Sequence, residues 1–248
     1  MVIDCIIPAR GGSKGVPKKN IKMLGDYPLI AYSIVAANLS KNIRKTIVTT
    51  DSQEIADIAL KYGAEVPYLR PSILAEDNST DLEFFHFHMK YLEQNNLITP
   101  DLLVHLRPTT PLRSVKVIDS AIDKMKKDKE ATALRSAHLT HLTPYKMFKK
   151  NHNYMRPFLK SDLAEEFYNL PRQAFEDAYI PNGYVDIVKT SIFKNTDILH
   201  GENIFLYETE NTADIDIIED FHFAEQILNE ERFEEILINL KRFKESSL

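Results

Sequence analysis

The run Val2-Ile3-Asp4-Cys5-Ile6-Ile7, followed without a break by Pro8-Ala9-Arg10-Gly11-Gly12-Ser13-Lys14-Gly15-Val16-Pro17-Lys18-Lys19-Asn20, is the stretch on which the fold turns. The apolar run reads as a buried first strand, and the loop after it combines Gly11, Gly12 and Gly15 with Arg10, Lys14, Lys18 and Lys19. Glycines let backbone N–H groups crowd around an anion, and the cations bring opposite charge to the same turn. A loop of that chemistry at the C-terminal end of the first strand of an α/β sheet is where phosphates sit. The plain alternative is a solvated basic loop. Neither Gly-x-x-x-x-Gly-Lys-Ser/Thr nor Gly-x-Gly-x-x-Gly is present, which argues against a kinase-type or NAD-type site.

Working outward, strand and helix signals alternate. Residues 28–37 read as a buried helix, 46–50 as a strand and 51–62 as a helix ending at Gly63. Asp51 and Glu54 have the spacing of an N-cap and its N3 partner. A short strand near 65–69, a helix over 81–94, a strand over 102–106 and a helix over 115–127 follow. Such βαβ alternation predicts a mostly parallel sheet with its ligand site at the strand C-termini. After Ala137 the rhythm breaks. Residues 138–182 are rich in aromatics, Pro and His, and too long for a structureless loop. They read as an inserted segment that covers substrate, packs on a second subunit, or does both. Asn182-Gly183 predicts a turn, 184–188 a returning strand, and 219–243 a closing helix.

Bulk properties narrow the class. The chain has 248 residues, 44% hydrophobic and 27% charged, as expected for one α/β domain over 1–248 with a substantial core. A net charge of −5 argues against a broad nucleic-acid surface. No apolar run approaches the roughly 20 residues of a membrane span, and the immediate entry into a strand leaves no room for a signal peptide, so the expected location is cytoplasmic. Cys5, the single cysteine, lies in the first strand and reads as a buried structural thiol.

Asp214-Ile215-Asp216 places two carboxylates at i and i+2, on one face of an extended segment. Paired oxygen donors of this kind suit a hard cation bound to a triphosphate, with two solvated surface acids as the simpler reading. The eight histidines show no zinc spacing with cysteine, and His86, His88, His138 and His141 read as core or pocket residues. No Gly-x-Ser-x-Gly or other nucleophile motif is present, which favours direct displacement.

The loop block Pro8 to Gly15, with Pro17, Lys19 and Asn20, resembles the signature of the acylneuraminate cytidylyltransferases, the CMP-sialic acid synthetases and their relatives. Arg107-Pro108-Thr109-Thr110-Pro111-Leu112-Arg113, Pro171-Arg172-Gln173, Pro181-Asn182-Gly183 and Asp214-Ile215-Asp216 with Glu219-Asp220 match in order, so the likeness runs from about Ile3 to about Leu228. The resemblance implies a three-layer Rossmann-like nucleotidyltransferase fold with an inserted dimerisation or lid region, a homodimer, and CTP with an acidic sugar as substrates. It implies magnesium held by Asp214 and Asp216. It puts Ala9, Arg10, Gly11, Ser13, Lys14, Lys19 and Asn20 around the nucleotide, with Arg10, Lys14, Lys19 and Asp216 catalytic and Lys18 facing outward. Arg70, Ser79 and Asp81 fall where the base is held, and Arg107, Thr109, Lys146 and Arg172 where the acceptor is met.

Three positions depart from the pattern: Asp81 replaces a small hydroxyl residue, Arg107 a glutamine and Ile180 an arginine. A carboxylate at 81 accepts from the cytosine amino group, but equally from guanine donors; Ser79, Thr80 or Asp81 is equally suited to cap the following helix. The altered cations point away from N-acetylneuraminate towards another nonulosonic acid or another anionic acceptor. Transfer from GTP or another NTP to a sugar 1-phosphate, and a non-catalytic binding protein of the same fold, stand as alternatives.

Overall fold

A computed structural model describes residues 1–194 and 196–245. Strand β1 (Ile3–Pro8) is flanked by parallel β4 (Lys45–Thr49) and β5 (Leu102–His105). The six-stranded sheet continues through β9 (Ala178–Lys189), antiparallel to both neighbours, to β6 (Ala133–Thr140) and the parallel edge strand β10 (Ile204–Glu208). Two short ribbons stand apart, β2 (Met23–Leu24) with β3 (Tyr27–Pro28), and β7 (Phe148–Asn151) with β8 (Tyr154–Pro157).

The alternation of β1 divides the core. Ile3, Cys5 and Ile7 join the larger cluster, under α1 (Leu29–Leu39), α2 (Gln53–Lys61) and α4 (Val115–Lys127), together with α5 (Ile218–Ile227) and α6 (Glu234–Glu245). Ile6 faces the other way and packs with Phe84 and Phe85 of α3 (Asp81–Gln94). Helices therefore cover both faces, which is why β1 can be apolar throughout. Helix α1 is almost wholly buried, as its run of small and aliphatic residues predicts. Burial pushes the Cys5 thiol up, so it remains an inert core thiol.

Several expectations need correcting. Residues 65–69 make only isolated bridges at Glu65 and Leu69 rather than a strand. Ser52, not Asp51, caps α2, accepting from the Ile55 N–H. The closing helix is two, α5 and α6, separated by a 3-10 turn. Asn182-Gly183 is no turn: it lies inside β9, where the register against β6 slips between Arg135 and Ala137. Gly183 has φ +64, a bulge conformation open to glycine at low cost.

Residues 138–182 carry the far halves of β6 and β9, three 3-10 turns and the β7–β8 ribbon. Leu142, Met147, Tyr154, Met155, Phe158 and Leu163 all stand exposed on this segment. Among the described residues, no helix is long and apolar enough to cross a membrane.

Candidate active site

A cleft of about 420 Å³ opens where β1 and β5 end, lined by the 8–20 loop, the segment from Arg70 to Asp81, Phe84, the turn after β5 and Asp216. The cations of the loop are each set by a carboxylate. Arg10 pairs with Asp77 at 3.1 Å and donates to the Glu76 carbonyl at 2.9 Å, and Lys14 pairs with the same Asp77. Lys18 turns outward, as the sequence predicts, and pairs with Glu54 at 2.6 Å. Lys19 reaches across to the Asp-x-Asp segment, donating to the Ile215 carbonyl at 2.8 Å and to Asp216 at 3.0 Å. A Cβ on Gly15 would lie 2.5 Å from the Asp216 carbonyl oxygen, so glycine is what lets the loop seat against that segment.

Not every loop residue faces the cleft. Ala9 is fully buried with its N–H on the Thr49 carbonyl. The Gly11 N–H is not aimed at an anion; it donates to Asp51 Oδ1 at 2.8 Å, which is the role of Asp51 in place of capping α2. Asn20 lines the cleft but donates to the Arg10 carbonyl at 3.0 Å, fixing the backbone that carries the guanidinium. Ser13 lines the cleft directly.

On the opposite wall, Arg70 is buried over the Phe84 ring at 5.7 Å. Its Nε is buried and has no hydrogen-bond partner among the described residues. Ser79 holds the loop on itself, accepting from the Glu76 N–H and donating to the Ile73 carbonyl. Thr80, at the N-cap of α3, donates its N–H to Glu83 at 2.6 Å.

Asp81 and Arg107, two of the three departures from the family pattern, are partners. Arg107 donates to Asp81 at 2.9 Å through one terminal nitrogen and to fully buried Asp186 at 2.8 Å through the other. Burial alone would raise the Asp186 carboxyl, but the charges of Arg107, His105 and Arg135 outweigh it and hold the group below its ordinary value. Burial likewise opposes the Arg107 charge, and Asp186 and Asp81 more than restore it. One Asp81 oxygen and one donor from each terminal nitrogen of Arg107 are therefore engaged inside the protein.

The Asp214–Asp216 segment belongs to no strand or helix, and buried Ile215 is anchored by its N–H on the Thr109 carbonyl at 2.7 Å. Asp216 lines the cleft, while Asp214 stands one step behind it beside the Thr110 hydroxyl at 3.5 Å. Although Asp214 reaches solvent, the protein packed against its carboxyl raises its pKa and the Asp216 charge adds to this; Thr109, Lys19 and Arg107 pull the other way. Two hard oxygen donors and a carboxyl kept from full solvation fit a divalent cation. Among the described residues no group of three or more His, Cys, Asp or Glu is arranged to hold a metal alone. The pair thus fits magnesium completed by phosphate oxygens and water.

Lys146 and Arg172 do not line the cleft of their own chain. Lys146 lies 6.0 Å from the centroid of the Phe175 ring, itself stacked on Tyr145. Arg172 donates to His141 Nδ1 at 2.6 Å and to the Thr140 carbonyl. Ile180 is exposed, opposite His138 across the β6–β9 ladder.

The roles of four residues escaped the sequence reading. Asp77 and Asp51 position the loop, Asp186 holds Arg107, and fully buried Arg113 donates to the Tyr184, Gly183 and Arg107 carbonyls and to Ser33, tying the post-β5 turn to β9. Only Asp77, an acid in a segment facing a basic loop, left a signal that charge alone could have found.

Comparisons with known proteins place the chain among the cytidylyltransferases. The family described as Cytidylyltransferase matches residues 5–235. A CMP-N,N'-diacetyllegionaminic acid synthase of Campylobacter jejuni is 30% identical over 229 residues, 92% of this chain and 95% of that protein. A pseudaminic acid cytidylyltransferase of the same species is 28% identical over 222 residues, 89% of this chain and 93% of that protein. Among solved structures, a CMP:2-keto-3-deoxy-manno-octonic acid synthetase complexed with CTP superposes with a TM-score of 0.67, over 92% of this chain and 98% of that one. At 13% identity that likeness speaks for the fold.

Proposed function

The chain belongs to the acylneuraminate cytidylyltransferase family, and from that premise we propose that it joins CTP to a nonulosonic acid, giving a CMP-sugar and pyrophosphate. The observation that carries this reading is the cleft itself, where a glycine-rich cationic loop closes against an Asp-x-Asp segment through Lys19 and Gly15. Relatives spanning nine-tenths of the chain carry CMP-nonulosonic acid activities in their names, which supports CTP and a nonulosonic acid over GTP and a sugar 1-phosphate.

The anomeric hydroxyl attacks the α-phosphate in line and gives its proton to water, the bond to the β-phosphate oxygen breaks, and pyrophosphate leaves with the electron pair. Charge builds on the phosphoryl oxygens along this path, and Arg10 and Lys14 stabilise it. Lys19 keeps Asp216 against the loop, and Asn20 keeps Arg10 aimed into the cleft. Asp214 and Asp216 would hold magnesium, which would neutralise charge on the phosphates and make the attacking hydroxyl more acidic. Arg70 and Asp81, on the far wall, receive the nucleotide away from the reacting phosphate.

Lys146 and Arg172, turned from their own cleft on a segment with an exposed apolar surface, support a homodimer in which residues 138–182 pack on a second copy. Leu142, Tyr154, Met155 and Phe158 are exposed on this one segment, and exposed apolar clusters mark interaction surfaces. The chemistry and the absence of long apolar helices among the described residues support a cytoplasmic enzyme.

Pyrophosphate release tests the reading, with magnesium present and CTP or GTP crossed against pseudaminic acid, legionaminic acid and sugar 1-phosphates. Release requiring CTP and a nonulosonic acid is expected; release only with GTP or a sugar 1-phosphate would overturn it.

A further inference from the structure

Arg10 and Lys14 face the cleft, yet neither is free. Asp77 gives one oxygen to Arg10, at 3.1 Å, and the other to Lys14. One anion bridging two cations through two oxygens is the arrangement a phosphate group would make there. Arg10 also takes the neighbouring Glu76 carbonyl at 2.9 Å, so the segment's backbone is held as well as its side chain.

The segment that carries Asp77 is built as a strap. It leaves the sheet at Arg70, whose N–H bonds the Thr50 carbonyl, and rejoins the fold at the Thr80–Glu83 cap of α3. Between these anchors its contacts are largely with itself, through Ser79, and with Arg10 and Lys14. Lys14 is mostly exposed and Asp77 nearly half so, which makes the contact weak enough to open.

We propose that Asp77 is an affinity-setting residue, a built-in anion that occupies Arg10 and Lys14 until a nucleotide triphosphate displaces it. The inference rests on reading the cleft as the nucleotide site. A triphosphate beside Asp77 places like charges together, so one must leave; a ligand also held by its base and its cation prevails, and a bare anion does not. The strap then swings from Arg10 and Lys14, and it returns once pyrophosphate departs. Apparent affinity for any ligand that needs both cations falls by the fraction of molecules in which they are unlatched. The same factor weakens pyrophosphate and inorganic phosphate, which have no base to offset it.

The test is titration calorimetry of CTP and, separately, of pyrophosphate, with magnesium and without acceptor, on the whole chain and on its Asp77→Asn and Asp77→Glu variants. Asn is expected to tighten both ligands by about three- to tenfold, the gain from a latch closed in most molecules. It should also steepen the salt dependence, because both cations then meet the ligand bare. Glu should stay within about twofold of wild type, since it keeps the competing charge. In a Lys14→Ala background Asp77→Asn should gain less, because half the latch is already gone. Unchanged thermal midpoints would show that the fold is intact. Equal or weaker binding by Asp77→Asn while the wild type binds CTP would overturn the latch and leave the nucleotide site standing. No CTP binding by either protein would overturn the reading of the cleft and the latch with it.

Discussion

The nucleotide end of the cleft and the 138–182 segment solve opposite problems. At the cleft, Arg10, Lys14, Lys19 and Arg107 each have a carboxylate from their own chain within ion-pair distance. On the segment, Leu142, Tyr154, Met155 and Phe158 are each more than 60% exposed. A region whose charges are satisfied internally is organised before any ligand arrives, which is what electrostatic stabilisation of a transition state requires. A region whose apolar side chains face water is finished by something else. The first is built to react and the second to be covered.

The sharpest way to break this contrast is at Asp216. Asp216→Ala should lower kcat/KM for CMP-sugar formation by about 10³-fold, read as pyrophosphate release at saturating magnesium. A loss under tenfold would remove the acidic pair from the reaction.

Next in size is Arg107→Gln, which removes the cation hydrogen-bonded to buried Asp186 and leaves Arg135 at 3.5 Å. Removing one partner of a buried pair should cost about 3 kcal/mol in urea unfolding. The pH sign follows from Asp186 lying below its ordinary value when folded. Its contribution is present above the unfolded carboxylate pKa and is lost as pH falls through the folded one. Wild type should therefore lose stability in acid faster than the variant, and the gap should narrow below the usual carboxylate range. A constant gap would mean that packing, not charge, explains the loss.

The covered side is addressed by Leu142→Glu with Phe158→Glu. Sedimentation should show self-association weakened at least about 30-fold, with CTP affinity unchanged. A monomeric wild type, or CTP binding lost together with association, would erase the division between the two regions. Smallest is Lys18→Ala, which removes an exposed pair with Glu54 and should leave kcat/KM within about twofold, since such pairs contribute little.

How much of this was legible depended on how local each signal was. β1 and its loop were readable because an apolar run, glycines and cations sit side by side. α3 was readable from its cap and amphipathic spacing, and its observed bounds are the expected 81–94. β10 was missed because Ile204-Phe205-Leu206-Tyr207-Glu208 is a short, half-exposed edge strand of only five residues, too brief for its alternation to stand out. Asn182-Gly183 carries a strong turn signal, but tertiary pairing uses the positive φ of Gly183 for a bulge beside Thr110 and Arg107. Asp51 shows the same limit at one residue's scale: its cap spacing was right, but Ser52 took the cap and Gly11 took Asp51. The Asp81–Arg107–Asp186 chain joins residues 26 and 79 positions apart, which no local periodicity encodes.

The place of β9 in the sheet also bears on how the chain is made. β5 ends at His105, yet the strand that covers its open edge begins only at Ala178. A chain emerging N-terminus first can pair β1, β4 and β5 early, and then waits with an unpaired hydrophobic edge at Leu102, Leu103 and Val104. β6 in turn can join only through β9, so the sheet closes in one late step with large loop entropy to overcome. Refolding is accordingly expected to be slow, and nascent chains that stall before Ala178 become clients for chaperones and proteases.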